Sequence, residues 1–146
     1  MASEDQPVGR SASQRAARVF ILEDSSYRIE GFRQVFAGAH VTIASSYDEA
    51  VAAFNPPYDL LCLDHDLGDL ETSNPDIENT GYDFVLWLPL VSAEFEPKVV
   101  VHSHSEPDAA AMARELAVKG FTPSVMPFDE KLLKKLRWLD GIQHAS

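Results

Sequence analysis

The chain predicts an α/β fold: a three-layer sandwich around a five-stranded parallel sheet in the strand order 2-1-3-4-5. Short apolar runs without polar alternation recur along it, which suits strands buried on both faces. Segments with helical apolar spacing and recognisable caps lie between these runs, so the pattern reads β-α about five times over. Right-handed crossovers then put helices on both faces. The topological switch point falls between strands one and three, and ligands bind outside the carboxyl ends of the strands there.

Each element has its own signal. Val19-Phe20-Ile21-Leu22 is a buried strand stopped by Glu23-Asp24-Ser25-Ser26. Ile29, Phe32, Val35 and Phe36 share one helical face, with Gly38 at the C-cap position. His40 to Ala44 is the second strand, and Ser46-Tyr47-Asp48-Glu49 has capping-box spacing. The helix it opens, carrying Ala50, Val51 and Phe54, stops at Asn55-Pro56-Pro57. Asp59 to Asp64 is the third strand, and a long polar connection follows from His65 to Thr80. Tyr82 to Val91 reads as a helix that Pro89 kinks or ends. Lys98 to His102 is the fourth strand, and Ser105-Glu106-Pro107-Asp108 starts a helix through Val118 with Gly120 as its C-cap. Phe121 to Met126 is the fifth strand. Asp129 caps a last helix with Leu132, Leu133, Leu136 and Leu139 on its apolar face, ending at Gly141.

At 146 residues the chain fits one domain, read as a flexible tail over 1–17 and a folded unit over 18–142. Twelve Lys and Arg against 23 Asp and Glu give a formal charge of −11, which disfavours non-specific DNA binding and anionic membrane surfaces. No Lys or Arg occurs from Gln34 to Pro97, a stretch that holds twelve acids. Most of these make a solvated acidic surface; those near strand ends could be relieved by a bound cation. The lone Cys62 excludes an internal disulfide framework, and neither a membrane span nor a signal-peptide core is legible. These features read as a cytoplasmic protein.

The carboxyl ends of strands one, three and four carry Glu23-Asp24, Asp64-His65-Asp66 and His102-Ser103-His104. Core packing does not require ionisable groups there, although a single acid or histidine after a strand is more often a helix cap or a structural residue. Their convergence from three loops favours a site. Paired carboxylates with imidazoles allow divalent-metal binding, or acid–base work by His beside a poised carboxylate.

Leu22-Glu23-Asp24 resembles the acidic pair that follows strand one in receiver domains of the two-component type, where it helps to hold Mg²⁺. Leu63-Asp64 resembles that family's phospho-acceptor aspartate, and Ser103 falls at its hydroxyl position after strand four. Met126-Pro127-Phe128 falls where those domains have Lys-Pro-Phe, so Met126 replaces the Lys that pairs with the phosphoryl group. A closer resemblance is to the cyclic-phosphate processing receiver domains, whose pattern is Leu-Asp-His-Asp-Leu, Thr-Gly-Tyr-Asp and His-Ser-x-Asn. Here these are Leu63-Asp64-His65-Asp66-Leu67, Thr80-Gly81-Tyr82-Asp83 and His102-Ser103-His104-Ser105, with Ser105 in place of Asn and Asp108 where a small residue is common. The resemblance spans about Val19 to Phe128.

The resemblance and the rim residues together imply a metal-dependent phosphoesterase acting on a cyclic phosphate of a nucleotide or RNA end. Glu23, Asp24, Asp64 and Asp66 would hold the divalent ion, Mg²⁺ first, with Mn²⁺ or Zn²⁺ as alternatives. Asp64, His65 and His102 would be the catalytic groups, and Ser103, His104 and Arg28 would bind phosphate. On this reading the carboxylates of Asp24 and Asp64 face one another, and His65 and His102 reach one phosphate-sized site beneath the loop from Asp69 to Asn79. Two alternatives stand beside it: a non-catalytic pseudo-receiver that docks a protein partner, and an atypical receiver phosphorylated on Asp64.

Overall fold

The computed structural model describes residues 16–67, 80–103 and 105–136. Residues 1–15 of the tail expected over 1–17, most of the connection after His65, His104, Leu139 and Gly141 lie outside the described residues, while Ala17 is buried and its carbonyl accepts the His40 N–H.

Five parallel strands form the sheet: β1 (Arg18–Leu22), β2 (His40–Ala44), β3 (Leu60–Leu63), β4 (Lys98–Val101) and β5 (Pro123–Val125). Their order is β2-β1-β3-β4-β5, as expected. Strand β3 is buried at all four positions, which explains its continuous apolar reading. Helix α1 (Ser26–Val35) and the helical residues 130–136 cover one face, burying Val19, Ile21, Cys62 and Val100 against Phe32, Leu132 and Leu136. Helices α2 (Tyr47–Ala53), α3 (Gly81–Trp87) and α4 (Glu106–Val118) cover the other, over Phe20, Leu22, Leu61, Leu63 and Val101. Among the described residues no helix is long and apolar enough to cross a membrane.

Caps set most boundaries. Ser25 and Ser46 accept the backbone N–H groups of Arg28 and Glu49, opening α1 and α2. The Glu49 carboxylate returns to the N–H of Ser45 rather than to Ser46, a one-residue variation on the expected box. Gly120 follows α4 with φ of +98°, the left-handed conformation for which glycine is favoured.

The structure corrects several expected boundaries. Helix α3 ends at Trp87 instead of reaching Val91, because Pro89 forces the preceding Leu88 into extended backbone with ψ of 145°. Val91 donates its N–H to Lys119 instead. Helix α1 closes at Phe36, two residues before Gly38. Strand β5 is only Pro123–Val125, and β3 and β4 each stop one residue short of the expected end. Asp64 and His102 therefore lie just beyond the strands, where their side chains belong to the rim.

Candidate functional site

Strand pairing itself aligns the site. Past the strand ends, Glu23 donates its N–H to Ala44, Asp64 to Leu22 and His102 to Leu63. These bonds extend the sheet ladder by one residue on three neighbouring strands, so the three residues stand side by side at the switch point. Their side chains turn inward: Glu23 and His102 are fully buried, and Asp64 nearly so. A ligating atom from each lies within 4.8 Å of the other two.

Burial alone would make this cluster costly, and its contacts offset that cost unevenly. His102 Nε2 lies 2.8 Å from Glu23 Oε1, while Glu23 Oε2 accepts the N–H groups of Asp24 and Ser25. The His102 ring also packs edge-on against Phe32. Burial opposes charge on Glu23, but the His102 hydrogen bond and charge, the Ser25 N–H and Arg28 outweigh it and hold the carboxyl below its usual value. Asp64 goes the other way. Burial and the neighbouring charges of Glu23 and Asp66 push it up to about 7, against the opposing pull of Arg28 and the His65 N–H.

Arg28 is the cation of this cluster. Ser25 caps α1, so Arg28 sits in its first turn and its side chain leans back over the helix N-terminus. Its guanidinium nitrogen is 3.6 Å from Glu23 and 3.8 Å from Asp64, and the group lies over the Phe128 ring. A positive charge thus stands beside Asp64 although Met126 occupies the position of the receiver lysine. Met126 itself packs against the core.

A second group forms further out. His65 Nδ1 lies 3.0 Å from Asp66 and 3.4 Å from Asp108, which projects from the first turn of α4. Ser103 is buried, and its hydroxyl oxygen accepts the N–H of Ser105.

The expected residues therefore divide. Glu23, Asp64, His102 and Arg28 share the inner cluster, whereas His65 and Asp66 belong to the outer one. Asp24 is half-buried and is not part of the inner group; Glu23, not Asp24, is the acid brought to Asp64. The ladder bond from Glu23 to Ala44 keeps the backbone extended through Glu23 and turns its carboxylate inward. His104 lies outside the described residues. Asp108, which the sequence places at the start of a helix, at a position where the resembling family commonly has a small residue, turns its side chain to His65.

The two motifs also meet. Thr80 caps α3 in a reciprocal box, with Asp83 accepting the Thr80 N–H at 2.7 Å and the Thr80 hydroxyl accepting that of Tyr82. Gly81 donates its N–H to the His65 carbonyl, and a Cβ built on it would fall 1.9 Å from the Asp64 carbonyl oxygen. Glycine is what lets the start of α3 dock on the end of β3. The signal was in the sequence as Thr-x-x-Asp spacing.

Comparison with known proteins agrees with this fold. The model of the cyclic-phosphate processing receiver domain matches residues 20–118. The phosphorylated cyanobacterial phytochrome response regulator RcpA superposes with a TM-score of 0.60 at 18% identity, covering 88% of this chain and 92% of that one. The Mn²⁺-bound form of response regulator Rcp1 gives 0.61 at 14% identity, covering 89% and 96%. The chemotaxis response regulator CheY4 of Vibrio cholerae gives 0.59 at 22% identity, covering 88% and 99%. Identities this low show the shared receiver fold and nothing finer. No curated protein matches the chain.

Proposed function

Because the chain belongs to the cyclic-phosphate processing receiver domain family, we propose that it is a metal-assisted phosphoesterase that opens a cyclic phosphate on a nucleotide or an RNA end. The observation that carries this reading is the inner cluster, where Glu23 and Asp64 share a buried space with Arg28 within 4 Å of both.

The donor set fits a hard divalent cation. Two carboxylates converge in a buried space, where burial and the charge of Glu23 raise Asp64, a cost that a bound cation would relieve. Asp64 and Glu23 would hold Mg²⁺ or Mn²⁺. When bound, such an ion supplies positive charge at the phosphate oxygens and makes water more acidic.

The remaining work falls to the chain's own groups. Arg28 offers a planar fork of donors that suits phosphate, taking the part that Lys plays in ordinary receivers. The Ser103 hydroxyl can still donate to a phosphate oxygen while accepting from Ser105. His65, oriented by Asp66, is the proton donor for the leaving oxygen. His102, fully buried, acts from behind by keeping Glu23 charged and fixed. No membrane surface is involved in this reading, and the protein works in the cytoplasm.

The test is hydrolysis of 2′,3′-cyclic nucleotides with Mg²⁺ or Mn²⁺ and with chelator. Metal-dependent release of the monophosphate is expected, and His65→Ala should lower the rate by ~10²–10⁴-fold while the fold survives. Met126 favours one competing reading, a domain that docks a partner without turning over phosphate. No turnover, with no phosphorylation of Asp64 by a small phosphodonor, would support that instead.

A further inference from the structure

We infer that His65, Asp66 and Asp108 form a second metal site at the rim, suited to a borderline transition ion such as Zn²⁺ or Co²⁺. The inference is independent of the phosphoesterase reading, because it concerns binding by residues outside the inner cluster.

Two carboxylates meet one ring nitrogen here. Asp66 comes from the connection after β3 and Asp108 from the first turn of α4, yet both approach His65 Nδ1, at 3.0 and 3.4 Å. A single N–H can serve one of them well, which leaves two like charges converging with one donor between them. A shared cation satisfies both. Ions bound to nitrogen and oxygen at about 2.0–2.2 Å separate neighbouring ligand atoms by roughly 2.8–3.6 Å, and both distances fall in that range.

The position of Asp108 points the same way. It lies three residues after Ser105, the N-cap of α4, where an acid ordinarily turns back to the cap. Ser105 makes no side-chain cap bond, and its N–H goes to the Ser103 hydroxyl. Asp108 instead reaches across to a different loop. The nitrogen ligand selects the class of ion, because imidazole suits Zn²⁺ and Co²⁺ whereas Mg²⁺ prefers oxygen. Side-chain exposures of 17% for His65, 71% for Asp66 and 41% for Asp108 give an ion and its remaining waters direct access. An ion on Nδ1 would also displace the Asp66 hydrogen bond that orients His65, so loading this site would change the proton transfer assigned to that ring.

The experiment titrates Co²⁺ and Zn²⁺ into the tag-free chain in millimolar Mg²⁺, following the visible absorption of Co²⁺ and the heat of Zn²⁺ binding. One equivalent should bind with a nitrogen-containing Co²⁺ spectrum. Asp108→Ala and His65→Ala should each weaken it by about tenfold or more, while Asp64→Asn leaves it in place. Asp108→Asn serves as the second variant should the alanine disturb α4, and circular dichroism checks the fold of each. Absence of stoichiometric binding, or binding indifferent to both His65→Ala and Asp108→Ala, overturns the inference. Loss of binding in Asp64→Asn alone would assign the ion to the inner cluster and overturn it equally.

Discussion

The two clusters at the carboxyl end of the sheet draw on the same residue types but live in different media. Glu23, His102 and Asp64 have side chains between 0% and 3% exposed, whereas Asp66 and Asp108 are at 71% and 41%. In the inner group burial raises the stakes of each interaction: it holds Asp64 up to about 7, while Glu23 stays below its usual value only through His102, the Ser25 N–H and Arg28. In the outer group water screens the same charges. The difference teaches that chemical identity gives the ligands while depth decides what each is worth.

Breaking the inner group should have the largest effect. His102→Leu removes the partner at 2.8 Å and strands Glu23 in the core. A loss of about 3–5 kcal/mol in denaturant unfolding is expected.

Asp64→Asn should act in the opposite direction. In the unfolded chain Asp64 ionises near its ordinary value of about 4, whereas in the folded metal-free chain it holds its proton up to about 7. The folded state therefore binds more protons in that window, and this group lowers stability as pH rises from about 4 to about 7, with no further change above. The variant should stabilise the metal-free chain at pH 8 by on the order of 2–4 kcal/mol and match the parent at pH 4. Glu23 has the reverse sign: its contribution is present above its ordinary value and is lost as pH falls through its lowered folded value. Urea titrations at pH 4, 6 and 8 measure both slopes.

A smaller gain should come from Mg²⁺ or Mn²⁺ at the inner cluster. Melting should rise with log concentration, reaching about 2.7 kcal/mol at a hundredfold excess over Kd, and Asp64→Asn should abolish the response. A flat response would return the inner cluster to a purely structural role. Least affected should be the outer group in metal-free buffer. Asp66→Ala or Asp108→Ala should change stability by less than about 1 kcal/mol, and a larger loss would mean that the rim is not screened.

How far the sequence could reach follows the same boundary between pattern and depth. Leu60 to Leu63 followed by Asp64 announced a buried strand ending in a rim acid, because continuous apolar character survives only where both faces are covered. The strand order came from the alternation of strands and helices and is the order found. What sequence could not supply was the direction of side chains after the strands end. Glu23 and Asp24 are adjacent acids, and only the extra ladder bond from Glu23 to Ala44 decides which one turns inward. His102 and His65 read alike in the sequence, yet one packs edge-on against Phe32 in the core and the other stands at the rim. Asp108 was out of reach for a different reason: its partner is 43 positions away, as 108 − 65 gives, and belongs to another loop.

The bond from Gly81 N–H to the His65 carbonyl, at 2.9 Å, has a consequence for how this chain can vary. It is a clasp between the end of β3 and the start of α3, one that only glycine is small enough to make against Asp64. Any side chain at residue 81 should therefore push the start of α3 off the end of β3 and carry the Asp64 backbone with it.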